Sequence, residues 1–225
     1  MFGGTSGIGL ATARLLAARG AEVVAVSRSP DRAGEVPDGI TLAACDVLDA
    51  EAIDELLAGL APIDILVSSA TGGSRAIGPF LTMDIDGFRA SFDKLWGYAN
   101  VVHRGAHHLS RDGTIVLVSG SPARLSKPGL VSLSSVGAAV EAMARSVAPE
   151  LAPRRLNVVS PGIIDTPMVE VQGPEREEVY RLMTAGNVIP RAGTADEVAA
   201  AILFVVENDF VTGTTVDVDG GWLLS

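Results

Sequence analysis

Short, almost wholly apolar runs alternate along this chain with longer segments in which apolar residues recur every three or four positions. The short runs predict strands at 22–27, 40–44, 64–69, 114–119, 156–160 and 214–218, and the longer ones predict helices at 8–19, 50–60, 87–109, 135–151 and 195–207. The stretches 23–26, 65–67 and 115–118 are continuously apolar rather than alternating. That is the mark of strands covered on both faces, and hence of a mainly parallel sheet. Strand–helix alternation then implies right-handed crossovers and helices on both faces. The expectation is one doubly wound α/β domain of Rossmann type over residues 1–225, since no repeat, low-complexity tract or linker interrupts it. One strand looks truncated: only Met1 and Phe2 precede the first glycine loop.

That loop, Gly3-Gly-Thr-Ser-Gly-Ile-Gly9, opens the first helix, and Gly20 ends the helix before the next apolar run. Glycines there permit a tight turn and close approach of the backbone to a pyrophosphate, while a helix N-terminus offers unpaired N–H groups and a positive dipole end. A glycine cluster alone also suits a plain tight turn, but the strand–loop–helix setting favours a dinucleotide. Candidate contacts in the loop are Gly3, Thr5, Ser6, Gly7, Ile8 and Gly9. At the end of the next strand stand Ser27 and Arg28, where an acid would select the ribose 2′-hydroxyl of NAD. A hydroxyl and a guanidinium suit a 2′-phosphate instead, so NADP is expected over NAD. Asp46 caps either an adenine ring or its own turn.

Six pieces then occur in a telling order: the glycine loop, Cys45-Asp-Val47, Ile65-Leu-Val67, Ser160-Pro-Gly-Ile-Ile-Asp-Thr-Pro-Met168, Asp196-Glu-Val-Ala199, and Thr212-Gly through Val218-Asp-Gly-Gly221. On these the chain resembles the short-chain dehydrogenase/reductase family along nearly its full length. The resemblance implies hydride transfer between a nicotinamide and a carbonyl or alcohol. It adds Val47, Ser69, Ala70, Pro161, Gly162 and Thr166 to the cofactor side. It also implies a homodimer or homotetramer built on the helices over 87–109 and 135–151.

The same resemblance exposes losses. The family's acid–base pair, Tyr-x-x-x-Lys, falls on Leu133 and Gly137, its serine on Gly120 and its helical asparagine on Lys94. No tyrosine lies between residues 99 and 179, so a register error does not restore the motif. Ser119 and Ser121 flank the serine slot, and Lys94 offers an amine for the vacated lysine space. These three are the candidate catalytic residues. Two functions follow: an NADP(H)-dependent oxidoreductase with an altered reaction centre, or an NADP(H)-binding sensor or assembly protein without hydride chemistry.

Composition narrows partners more than chemistry. A net charge of −10 argues against nucleic acid and anionic membranes, and the single cysteine, Cys45, suits a reducing cytoplasm. His103 and His107 share metal-ligand spacing, but they lack a third ligand in sequence, so no metal is expected. Residues 168–189 are expected to form a lid. Its helix is expected at 175–183, and Met168, Val171, Tyr180 and Met183 would line a pocket for an apolar small-molecule substrate. Arg124 would be a salt-bridged loop residue or a contact for an acidic substrate.

Overall fold

The computed structural model describes residues 1–71 and 73–225. Its strands are β1 (Val23–Ser27), β2 (Ile40–Ala44), β3 (Ile63–Ser68), β4 (Leu109–Val118), β5 (Arg155–Pro161), β6 (Ile164–Asp165), β7 (Gly193–Thr194) and β8 (Thr215–Val218). Its helices are α1 (Gly7–Ala18), α2 (Ala50–Ala58), α3 (Ile85–Ala90), α4 (Asp93–Gly105), α5 (Val131–Val147), α6 (Pro174–Thr184) and α7 (Ala195–Glu207). All the strand pairings described are parallel: β1 with β2, the series β3-β4-β5-β8, and a separate β6-β7 pair.

Phe2 joins the first two groups. It bridges Val26 on one side and Ser68 on the other, its N–H donates to Val67 O at 2.9 Å, and its carbonyl accepts from Ser69 N at 3.0 Å. The sheet therefore reads β2-β1-Phe2-β3-β4-β5-β8, with a central position represented by one bridging residue. Phe2 is only 1% exposed, and burying a side chain of that size is worth about 1.5–3 kcal/mol.

Helices cover both faces. α1 and α7 pack on one, through Ala13, Leu16, Val198, Ile202 and Leu203; α2, α4 and α5 pack on the other, around Ile53, Leu57, Tyr98, Val101, Val140 and Ala144. The last turn of α7 is held by Arg155 of β5, a buried residue. Its guanidinium donates to the carbonyls of Val205 (2.7 Å), Val206 (2.8 Å) and Val211 (2.9 Å). Among the described residues no helix is long and apolar enough to cross a membrane.

Three sequence expectations change. The helix expected over 87–109 is two, α3 and α4. The Ser91 hydroxyl donates to Gly87 O at 2.9 Å and accepts from Ala76 N at 3.0 Å, tying the break to the loop after β3. Residues from Leu109 onward belong to β4, because Leu109 pairs with Ile63 and the register then shifts so that Thr114 meets Ile65. The helix expected at 135–151 starts four residues earlier, at Val131, and tightens to a 3₁₀ turn at Ala148–Leu151, where Pro149 lacks an N–H for the α-helical ladder.

Candidate active site

The parallel strands end at one edge of the sheet, and the sequence-selected residues gather there. Gly3 takes φ +74°, a conformation few side chains tolerate. A Cβ on it would lie 2.7 Å from Ala70 N and from Ser69 Oγ, and a Cβ on Gly9 would overlap the Gly3 carbonyl oxygen. The loop is therefore folded as tightly as glycine allows against the end of β3, and the Ser69 hydroxyl reaches Gly3 O at 3.3 Å.

The start of α1 is open. Ser6 occupies the N-cap without a side-chain hydrogen bond, and the first turn holds no acid. Asp49, Asp84 and Thr194 cap α2, α3 and α7 with side-chain oxygens, whereas α4, α5 and α6 share with α1 the lack of a side-chain cap. An uncapped N-terminus next to a glycine cradle is a fitting seat for a pyrophosphate. Thr5 is buried under the loop, and Ile8 packs with the α7 side of the core. Gly7 lies against Thr166, which brings the loop and the segment after β5 together.

Ser27 ends β1 with a buried hydroxyl that has no hydrogen-bond partner. Arg28 follows it, exposed and, among the described residues, without a carboxylate within 4 Å. Asp46 accepts from Leu48 N at 3.0 Å and so closes its own turn, while Val47 is buried against Gly97 of α4. Pro161 ends β5 beside Val218, and Gly162 N–H donates to Val218 O at 3.0 Å. The Thr166 N–H donates to the Tyr180 hydroxyl at 3.3 Å.

The reaction side is different. Leu133 is half-buried on α5. A Cβ on Gly137 would sit 2.9 Å from the Ala123 Cβ and 3.3 Å from Ser119 Oγ, so the room a side chain would need is filled. Gly120, in contrast, has space: the nearest atoms to a Cβ there are 3.7 Å away. The Ser119 hydroxyl is turned into α5, within 3.3 Å of Gly137 O and 3.2 Å of Glu141 Oε1. Ser121 is fully buried with its hydroxyl unpartnered.

Glu141 is a residue that the sequence reading missed. It is only 2% exposed, and it is met by Arg124 Nε at 3.3 Å and Arg145 at 4.0 Å. Burial pushes its carboxyl up, and the Arg124 charge opposes that. Arg124 also pairs with Asp217 of β8, so it is committed to two carboxylates. The available signal was a lone acid on a face of α5 otherwise formed by Gly137, Val140 and Ala144.

Lys94 comes to the same place from α4. Its ammonium donates to Ser119 O at 3.3 Å and lies 5.4 Å from the Tyr98 ring centroid. Burial, and after it the Arg75 guanidinium, lowers the Lys94 ammonium to about 7. Tyr98 is a buried core residue whose hydroxyl donates to Val118 O at 3.0 Å, and burial raises its pKa. Arg75, also missed in the sequence, touches the Met168 sulfur. An amine that titrates near neutrality beside an open backbone slot can give or take a proton at a carbonyl or alcohol oxygen.

In the lid segment Tyr180 points inward, onto Thr166 and Arg176, while Met168 (57%) and Met183 (45%) are exposed. His108 pairs with Asp54 at 2.8 Å, and the His103 and His107 rings pack edge-on at 6.2 Å between centroids.

A protein-family description, "Enoyl-(Acyl carrier protein) reductase", matches residues 3–223. The chain is 31% identical to the short-chain reductase protein NovJ of Streptomyces niveus, over 97% of this chain and 91% of that one. It is 30% identical to carbonyl reductase (NADPH) 2 of Sus scrofa, over 99% and 95%. A solved small-chain dehydrogenase in complex with NADPH superposes with a TM-score of 0.83 at 27% identity, covering 100% of this chain and 97% of that one.

Proposed function

The chain belongs to the short-chain dehydrogenase/reductase family, and we propose that it is an NADP(H)-dependent oxidoreductase with a reaction centre remade around Lys94. The observation that carries this reading is an open, glycine-lined N-terminus of α1 at the same sheet edge as the Lys94 ammonium. Bound there, the nicotinamide would supply or accept the hydride.

The protein's own residues do the rest. The loop from Gly3 to Gly9 presents N–H groups to the pyrophosphate, with Ser69 and Ala70 beneath it. Ser27 and Arg28 hold the 2′-phosphate. Asp46 and Val47 border the adenine, and Pro161, Gly162 and Thr166 border the nicotinamide. Lys94 gives its proton to the carbonyl oxygen during reduction and takes one from the alcohol during oxidation. Ser121, whose buried hydroxyl lacks a partner, orients that oxygen. Ser119 acts one step back: its hydroxyl bonds Glu141, and its carbonyl accepts from Lys94, so it sets the position of the amine.

The substrate is a small carbonyl or alcohol compound that meets Met168 at the mouth. A homodimer or homotetramer in the cytoplasm completes the reading, supported by Trp96, 62% exposed on α4. The test is a panel of aldehydes, ketones and alcohols followed at the nicotinamide absorbance. Turnover that Lys94→Met removes, with NADPH affinity kept, is the expected result.

One observation favours a second reading, that of an NADP(H)-binding sensor without turnover. Ala123 and Ser119 fill the space around Gly137. Tight NADPH binding with no turnover across the panel would decide for it.

A further inference from the structure

Thr166 lies against the glycine loop from the segment that follows β6: a Cβ on Gly7 would be 3.3 Å from the Thr166 Cβ and Cγ2. Both main-chain groups of Thr166 are held by side chains of α6. Its N–H donates to the Tyr180 hydroxyl at 3.3 Å, and its carbonyl accepts from Arg176 Nη2 at 2.7 Å. Positions four apart share one face of a helix, so residues 176 and 180 reach the same peptide segment together. They also hold each other: Arg176 Nη2 donates to the Tyr180 hydroxyl at 3.2 Å, and the guanidinium carbon lies 5.2 Å from the ring centroid.

Arg176 gathers more than Thr166. Its Nε donates to Asp165 Oδ1 at 3.1 Å, and its Nη1 donates to the carbonyls of Val169 and of Val171, the latter at 3.0 Å. Asp165 ends β6 and pairs with Thr194, the residue that caps α7, so it is anchored outside the lid. One guanidinium, its side chain only 17% exposed, therefore clasps the chain from Asp165 to Val171 onto α6. Donors fixed in a planar fork can serve acceptors on several sides, which a single ammonium centre does not span. Among the described residues Arg176 makes no hydrogen bond to the glycine loop, so its influence there passes through Thr166.

We infer that Arg176 is a positioning residue for the cofactor: with Tyr180 it fixes the Thr166 backbone, and so keeps the Thr166 side chain on Gly7 at the nicotinamide end of the site. The adenosine end, at Ser27 and Arg28, shares none of these bonds. The role in binding rests on where the proposed function places NADP(H), and it does not require hydride turnover. The clasp itself stands on its own distances.

The first arm of the test is a calorimetric titration of wild type, Arg176→Met and Tyr180→Phe with two ligands. One is NADPH; the other is adenosine 2′,5′-bisphosphate, which keeps the adenosine and its 2′-phosphate but lacks the nicotinamide half. Arg176→Met should weaken NADPH at least about tenfold and leave the bisphosphate within about twofold. Arg176→Lys should restore little of the loss. Tyr180→Phe removes one acceptor and keeps the ring, so NADPH should weaken about two- to tenfold with the bisphosphate again unchanged. That variant carries the same contrast if Arg176→Met fails to fold. Unchanged NADPH affinity, or equal weakening of both ligands, overturns the inference.

The second arm needs no nucleotide. Amide hydrogen exchange over residues 165–171 should be at least about tenfold faster in Arg176→Met than in the wild type, with β4 and β5 unchanged. Equal exchange removes the clasp. A wild type that binds neither ligand, while exchange over 165–171 still responds to Arg176→Met, keeps the clasp but sinks the cofactor seat of the proposed function, and the positioning role with it.

Discussion

The cofactor side and the proposed reaction side of the sheet edge are built from different things. On the cofactor side, Gly3 and Gly9 sit where no side chain fits, the α1 N-terminus is left uncapped, and Thr166 closes on Gly7. On the proposed reaction side, the positions onto which the family resemblance puts acid–base chemistry are Leu133, Gly137 and Gly120, and Ala123 lies where a Gly137 side chain would go. A backbone cradle depends on the absence of side chains, so it tolerates almost no change. A proton donor depends on one atom of suitable pKa at one place, and that atom can arrive from another element. In the proposed function it would arrive from α4, on Lys94.

The sharpest contrast between the two sides comes from damage to each. In Gly9→Val the new Cβ collides with the Gly3 carbonyl, so NADPH binding should vanish from a calorimetric titration. Its thermal midpoint should also fall, in line with a loss of more than about 3 kcal/mol. Retained binding would mean that the loop is not the cofactor seat. Next, Lys94→Met should lower the reduction rate about 10²- to 10⁴-fold while leaving NADPH affinity within about twofold. The pH profile carries the same information with a definite sign. With the amine at about 7, reduction needs the protonated form and falls as pH rises through that value, while oxidation needs the free amine and rises. A rate unaffected by Lys94→Met removes the amine from the mechanism.

Lys94 has a linked effect on stability. Its folded pKa lies below the ordinary lysine value of about 10.4, so the unfolded chain binds the extra proton between about pH 7 and 10. The cost of burying the amine is thus fully present below about pH 7 and is relieved as pH rises through that window.

Arg28→Ala should weaken NADPH about 10- to 100-fold and leave NADH nearly unchanged, as calorimetry with both nucleotides would show. Equal losses for both would place Arg28 off the 2′-phosphate. The smallest effect belongs to restoring the family pair. Gly137→Lys combined with Leu133→Tyr should cost about 1–3 kcal/mol, because the lysine Cβ meets Ala123, and scanning calorimetry would read the drop. A faster enzyme with unchanged stability would show that the space was never filled.

Much of the fold was legible. Continuous apolar runs placed β1, β3 and the core of β4, and glycine spacing placed the loop, because burial and close approach leave direct marks on residue type. The features missed depend on tertiary partners. The break at Ser91 needs the Ala76 N–H; the early start of β4 needs Ile63 as its neighbour; the two-residue β6-β7 pair has too little sequence to show a period. On the proposed reaction side the sequence singled out Leu133 and Gly137, but only the fold showed Glu141 bonded to the Ser119 hydroxyl. Long polar side chains act at a distance from their position in the chain, and periodicity does not encode where their ends lie.

A calorimetric titration of the wild-type protein with NADPH and, separately, with NADH bears on the cofactor side without requiring a substrate. NADPH binding at least about tenfold tighter than NADH, from the charge-assisted bonds of Arg28 to a 2′-phosphate, is the predicted result. No binding of either nucleotide, or tighter binding of NADH, would contradict the proposed NADP(H) seat on the glycine loop.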